Sequence, residues 1–219
     1  MIGAAVAPDP LQHGWWLASR SAGVVALALV TASTLLGLTM AARLLRGRRG
    51  LAPTLVALHE QLSVTGIVAI AFHGVTLLGD RWLHPGLAGI AIPGLMSYRP
   101  LFTSLGVLAG WLTALLGLSF YARRRIGARR WRRLHRFTSL AYALAVVHTL
   151  GAGTDAASSW LRVPLLGSAA LALILLAVRV TRRRPVPRPP GGITPDAPSP
   201  RRAPSAPARS SRAAVPTAR

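Results

Sequence analysis

The sequence predicts an all-α protein: a polytopic membrane bundle of five helical spans, N-terminus outside and C-terminus cytoplasmic, followed by a disordered tail. Three observations carry this expectation. First, 52% of the 219 residues are hydrophobic and 14% are charged, with a mean hydropathy of +0.44; soluble globular proteins carry about 25% charged residues. Second, five apolar stretches have the length a bilayer requires, roughly 20 residues each. Third, the basic residues lie at the ends of those stretches. The chain has 26 basic and 5 acidic residues, a net charge of +21, with every basic residue an arginine.

The expected spans are about 17–45, 54–78, 101–121, 131–150 and 163–181. The first has no basic leader and too long an apolar core for a cleaved signal peptide. Arg43, Arg46, Arg48 and Arg49 follow it. Arg123, Arg124, Arg125, Arg129, Arg130, Arg132 and Arg133 separate spans three and four, with Arg136 just inside span four, and Arg182, Arg183 and Arg184 follow span five. The opposite side has only Arg20, Arg81, Arg99 and Arg162. Basic residues favour the cytoplasmic side, which orients the bundle in an inner or plasma membrane. Residues 79–100 form a long apolar loop, but Pro85, Gly86, Pro93 and Gly94 argue against a sixth span and for an interfacial or re-entrant segment. Residues 1–181 make the membrane domain; residues 182–219, rich in Arg, Pro, Ala and Ser, bury too little apolar surface to fold alone. That tail either rests on anionic lipid or is simply solvated. No repeat beyond the helices themselves is expected. The position of the arginines at span ends argues against a nucleic-acid partner. With no cysteine, disulfides, iron–sulfur clusters, thiolate metal sites and a cysteine nucleophile are excluded.

Four of the six histidines fall inside spans: His59 and His73 in the second, His135 and His148 in the fourth. Ionisable groups within a span are functional candidates by default, the plain alternative being a hydrogen bond to a neighbouring helix. His13 and His84 lie outside the spans. Both histidine-bearing spans run outward, so His59 can meet His135 at the inner level and His73 can meet His148 at the outer. Within a span the two histidines stand 14 or 13 residues apart, about 20 Å along a helix. Two imidazoles are too few for zinc, which takes three or four protein ligands. An iron porphyrin brings four equatorial nitrogens and needs only two axial ligands. Such pairs therefore suit two b-type haems. Gly66, midway between His59 and His73, would either let a macrocycle approach the backbone or let two helices pack tightly. The 13-residue step leaves about 140° of rotation in an ideal helix, so span four needs a kink, a bulge or laterally displaced haems.

HEQLSVTGIVAIAFH and HRFTSLAYALAVVH resemble the paired-histidine spans of the ferric reductase-like transmembrane domain superfamily, which includes NADPH oxidases and ferric reductases. RRRIGARRWRRLHRFTSLAYALAVVH and YRPLFTSLGVLAGWLTALLGLSF are similar to its MsrQ-like (YedZ-like) haem-subunit branch. The resemblance covers about residues 51–180. It implies a haem-bearing membrane component of an oxidoreductase, moving electrons from a cytosolic or quinol donor to an extracytoplasmic acceptor or reductase subunit. It also implies His59 and His135 as inner haem ligands and His73 and His148 as outer ones. The flavin and nicotinamide domain of the oxidases has no counterpart after the last span, so FMN or FAD would enter only through a partner such as a flavin reductase.

Arg132, Arg133 and Arg136 near the inner haem, and Arg81 and Arg99 near the outer, either pair with haem propionates or only set topology. Trp131, Tyr121, Tyr98 and Trp160 read as interfacial belt aromatics. Tyr142, between the two levels, reads as core packing or as part of the electron path. Two other classes compete. A transporter or proton channel would use the histidines as a relay, and a membrane scaffold would bind partners through its tail.

Overall fold

A computed structural model describes residues 13–45 and 49–182. Among these, all regular structure is helical: α1 (Gly14–Ala41), α2 (Ala52–Thr76), α3 (Gly86–Ala91), α4 (Pro100–Leu118), α5 (Arg123–Ile126), α6 (Ala128–Leu134), α7 (Thr138–Ala152) and α8 (Ser159–Thr181). The expected tail from residue 183 onward, with Arg46, Arg48, Arg183 and Arg184, lies outside the described residues.

Four helices are long and apolar enough to cross a membrane: α1, α2 with its 3-10 extension to Gly79, α4 and α8. Their apolar side chains point outward. In α2 only 11% of the most apolar window is buried inside the protein, and Val68, Leu101, Leu115 and Leu173 are exposed. Water would make such a surface costly, whereas lipid is its natural solvent. Proline starts α2 and α4, where no intrahelical N–H bond is lost.

The fourth expected span is corrected. Residues 131–150 do not form one helix: α6 ends at Leu134, a 3-10 turn occupies His135–Phe137, and α7 has 15 residues. The ARRWRRL sequence of α6 is helical but too basic to enter hydrocarbon, so the chain tightens where polar gives way to apolar. The apolar loop after α2 holds the six-residue α3 and no sixth long helix. Trp111 of α4 secures it, its indole N–H donating to the Ala91 carbonyl at 2.8 Å.

The helices associate as two close antiparallel pairs, α1 with α2 and α4 with α7, while α8 packs on α1. The buried seam of α1 is mostly small: Ser19, Ala22, Ala26, Val30 and Ser33. Small residues let backbones approach where no water is available to drive association. The two histidine-bearing helices, α2 and α7, barely touch each other. A core of Val30, Leu38, Tyr142, Val146, Leu165, Ala172 and Leu175 joins α1, α7 and α8. Arg20 on α1 clasps Asp155 in the α7–α8 loop through two bonds of 2.6 Å.

Tyr142 belongs to this core, 3% exposed. Ser168 gives its hydroxyl proton to the Leu165 carbonyl, so it must accept from the Tyr142 hydroxyl, 2.9 Å away. Tyr142→Phe is expected to cost about 0.6–1 kcal/mol, the value of an interhelical hydrogen bond in a membrane. Tyr142→Ala should cost about 3–5 kcal/mol, by analogy with other large-to-small core substitutions. Unfolding in mixed detergent–lipid micelles checks both.

Candidate functional site

The site is built on main-chain carbonyls. His59 Nδ1 lies 3.0 Å from the Ser33 carbonyl oxygen, His73 Nδ1 2.7 Å from that of Ser19, and His148 Nδ1 2.8 Å from that of Phe102. A carbonyl oxygen only accepts, so Nδ1 carries the proton in all three. Nε2 is then the nitrogen with a free lone pair. Metal-binding histidines are prepared in this way, the second nitrogen fixing tautomer and ring orientation.

A glycine four residues beyond the carbonyl makes room for each ring. A Cβ on Gly37 would lie 3.0 Å from His59 Cε1, and one on Gly23 would lie 3.0 Å from His73 Nδ1. A Cβ on Gly106 would collide with the His148 ring outright. Serines complete the two α1 cradles. Ser19 Oγ donates to the His73 carbonyl at 3.0 Å, Ser63 Oγ donates to the His59 carbonyl at 2.7 Å, and Ser33 Oγ donates to Ser63 Oγ at 2.7 Å. Ser19-x3-Gly23 and Ser33-x3-Gly37 thus form a repeat on α1, offset by the same 14 residues that separate His59 from His73.

His59 and His135 meet with ring centroids 6.1 Å apart and planes at 88°. A metal atom about 2.0–2.1 Å from a nitrogen of each imidazole would set the centroids roughly 6 Å apart. Both rings line a cavity of ≈ 560 Å³ together with Arg43, Arg129, Arg132, Arg133, Arg136 and Arg179, within the usual size of a cofactor site, about 300–1,000 Å³. Arg132, Arg133 and Arg136 therefore do gather around the inner pair. At the other level, His73 is held by α1 and His148 by α4, each through its own carbonyl bond. Among the described residues no three His, Cys, Asp or Glu side chains form a metal-sized cluster.

Other expected positions fall elsewhere. Gly66 is buried in the helix-packing role: a Cβ there would sit 3.3 Å from Val30 Cγ2 of α1, so it brings two helices together rather than a macrocycle. Arg99, at φ +43°, donates to the Gly151 carbonyl at 2.5 Å, holding the end of α7 three residues past His148. It lines a second cavity with Tyr98, Arg162 and Leu166. Arg81 is exposed. His13 and His84 are exposed and distant from the pairs in sequence. Trp131 is not a simple belt residue: it stacks on His135 at 5.0 Å and 25°.

Sequence reasoning missed the three cradle glycines and the serines. For α1 a signal was present, the 14-residue offset of Ser-x3-Gly matching the histidine spacing. Gly106 had no such signal, because its partner Phe102 contributes only a carbonyl. No family model, curated protein or solved structure matches the chain.

In cofactor-free protein, 15N spectra of the imidazoles should show His59, His73 and His148 with the proton on Nδ1. Gly106→Val should remove that signature from His148 and leave His73 unchanged. A His148 spectrum indifferent to the substitution would contradict the cradle.

Proposed function

We propose that this chain is the haem-bearing membrane component of an electron-transfer system. It has five spans, the fourth being the 3-10 turn and α7, with the N-terminus outside and the Arg-rich end in the cytoplasm. His59 with His135 would hold one b-type haem at the inner level, and His73 with His148 a second at the outer level. The observation that carries this reading is the carbonyl-anchored Nδ1 of three histidines, which leaves Nε2 free on helices that do not pack against each other.

The donor set fits the group. Two imidazoles per level, no carboxylate cluster and a ring of guanidiniums suit an iron porphyrin with two carboxylates. Bound there, the haem supplies four equatorial nitrogens and a one-electron couple. The chain supplies the rest. Ser33 and Ser19 carbonyls orient the α2 imidazoles, and Phe102 orients His148. Arg132, Arg133 and Arg136, which line the same cavity, would receive the carboxylates through charge-assisted bonds. Outward-facing Leu and Val side chains place the sites in lipid, away from water. Electrons come from a separate cytosolic flavoprotein or a quinol and leave to an extracytoplasmic acceptor. A proton relay would need both imidazole nitrogens to exchange protons in turn, and Nδ1 committed to a helix carbonyl is a poor step in such a chain.

Two measurements test this. Pyridine haemochrome assay of purified protein should give two haems per chain. His148→Ala should remove the outer haem, and His135→Ala the inner, each leaving one redox transition. A purified chain without a Soret band would sink the reading. For topology, the absence of cysteine permits single-cysteine labelling. Ser97→Cys should react with an impermeant thiol reagent from outside, and Ala122→Cys only after the cytoplasmic face is opened. Labelling of both from one side would refute five spans.

A further inference from the structure

A belt tryptophan turns its N–H toward water or headgroups. Trp131 Nε1 is instead buried, with no hydrogen-bond partner among the described residues. Rings alone position it. One face stacks on His135 at 5.0 Å, and Phe120 meets it edge-on at 5.8 Å. Phe120 meets Tyr121 at 5.5 Å. Tyr121 is 58% exposed, and its hydroxyl donates to Glu60 at 2.9 Å. With His59 6.1 Å beyond His135, five rings make a continuous row from the inner histidine pair to the protein surface. The guanidinium of Arg123 covers Phe120 at 3.7 Å from the ring centre.

We infer that Trp131, Phe120 and Tyr121 are the route by which electrons reach the inner His59–His135 site from the Arg-rich face. This rests on the proposed electron-transfer function and adds the path. Tunnelling falls steeply with the gap between donor and acceptor orbitals, and rings in van der Waals contact leave only short gaps. Each transfer takes one electron from a reduced flavin. A haem iron held by His59 and His135 would receive that electron, and the flavin's proton would go to solvent. The basic α5–α6 segment beside the row attracts an anionic donor to its outer end. Trp131 touches the ligand imidazole and Phe120 bridges it to Tyr121; none of the three rings changes oxidation state in this transfer, and they serve as the medium through which the electron tunnels.

The test has two arms on the full chain. In haem-loaded vesicles with the Arg-rich face exposed, photochemically reduced flavin is mixed in and the inner centre is followed. Trp131→Leu should slow its reduction about tenfold or more, while Trp131→Phe, which keeps a ring, should stay within about threefold of the unsubstituted chain. Haem content, spectra and both midpoint potentials should not move. Unchanged rates in Trp131→Leu overturn the route. So does a slowing that appears only with a shifted inner potential, which is the mark of mere support for His135. The second arm uses cofactor-free protein carrying Tyr98→Phe and Tyr142→Phe, so that Tyr121 is the last of the three tyrosines. Azide radicals from pulse radiolysis take one electron from tryptophan and become azide. The Trp131 radical then takes an electron from Tyr121 and a proton from water, as the phenolic proton passes to Glu60. Tyrosyl absorbance should rise as tryptophanyl absorbance decays, and Trp131→Leu should abolish the fast phase. Absence of that phase in the parent overturns the coupling. A chain that binds no haem defeats the proposed function instead, and the second arm alone then decides whether the rings are coupled.

Discussion

The hydrogen bond from an imidazole Nδ1 to the carbonyl of a facing helix governs the rest of this structure. A helical carbonyl points along the axis toward the N–H four residues later, and it keeps a second lone pair for an outside donor. The side chain at that later position stands over the oxygen. A residue without Cβ leaves the second lone pair open to a ring. Gly37 follows Ser33, Gly23 follows Ser19 and Gly106 follows Phe102, each by four residues, and each of those carbonyls holds a histidine. His135 lacks such a bond: its Nδ1 is buried with no hydrogen-bond partner among the described residues.

That constraint sets the helix pairing. A bond of about 3 Å to a backbone oxygen demands that α1 lie close against α2, and α4 against α7. Small residues along the seams permit it: Ala22, Ala26 and Gly66 in one pair, Gly106 and Gly151 in the other. With His59, His73 and His148 tied to their own pairs, their Nε2 atoms are left for the space between the pairs. The helices that carry histidines therefore belong to different pairs, and the cavity lined by His59 and His135 opens between them. His135 is placed by a ring instead: Trp131 stacks on it, and Phe120 joins Trp131 to Tyr121.

Much of this was legible in sequence because lipid imposes a coarse pattern. Four long apolar helices stand near their expected places, and the four intramembrane histidines were evident as rare ionisable groups. Ends shifted by a few residues: α1 starts at Gly14 and stops at Ala41, where Arg43 takes a positive φ. α8 begins at Ser159 and carries Pro164 inside it, so the Trp160 carbonyl goes without an N–H from four residues on. What hydropathy could not show was anything made by main-chain atoms. Gly66 and Gly106 look alike in sequence, yet one meets Val30 and the other a histidine ring. Trp131 sat among arginines, as a belt residue would, and only the coordinates turn it inward.

The unequal histidine spacing follows from the same geometry. On α2, 14 residues of α-helix rise about 21 Å and leave the two rings about 40° apart. Thirteen α-helical residues would rise about 19.5 Å and leave about 140°, too far round for both rings to face one cleft. The 3-10 turn at His135–Phe137 repairs this. Each of its residues rises about 2.0 Å and turns about 120°. Three of them add about 1.5 Å and 60°, which restores the rise to about 21 Å and cuts the offset to about 80°. The tighter winding thus stands in for the missing residue, matching the depth of the α7 pair to that of α2. It falls where the arginine-rich α6 meets the apolar α7, the one place where the chain changes its solvent within a helical run.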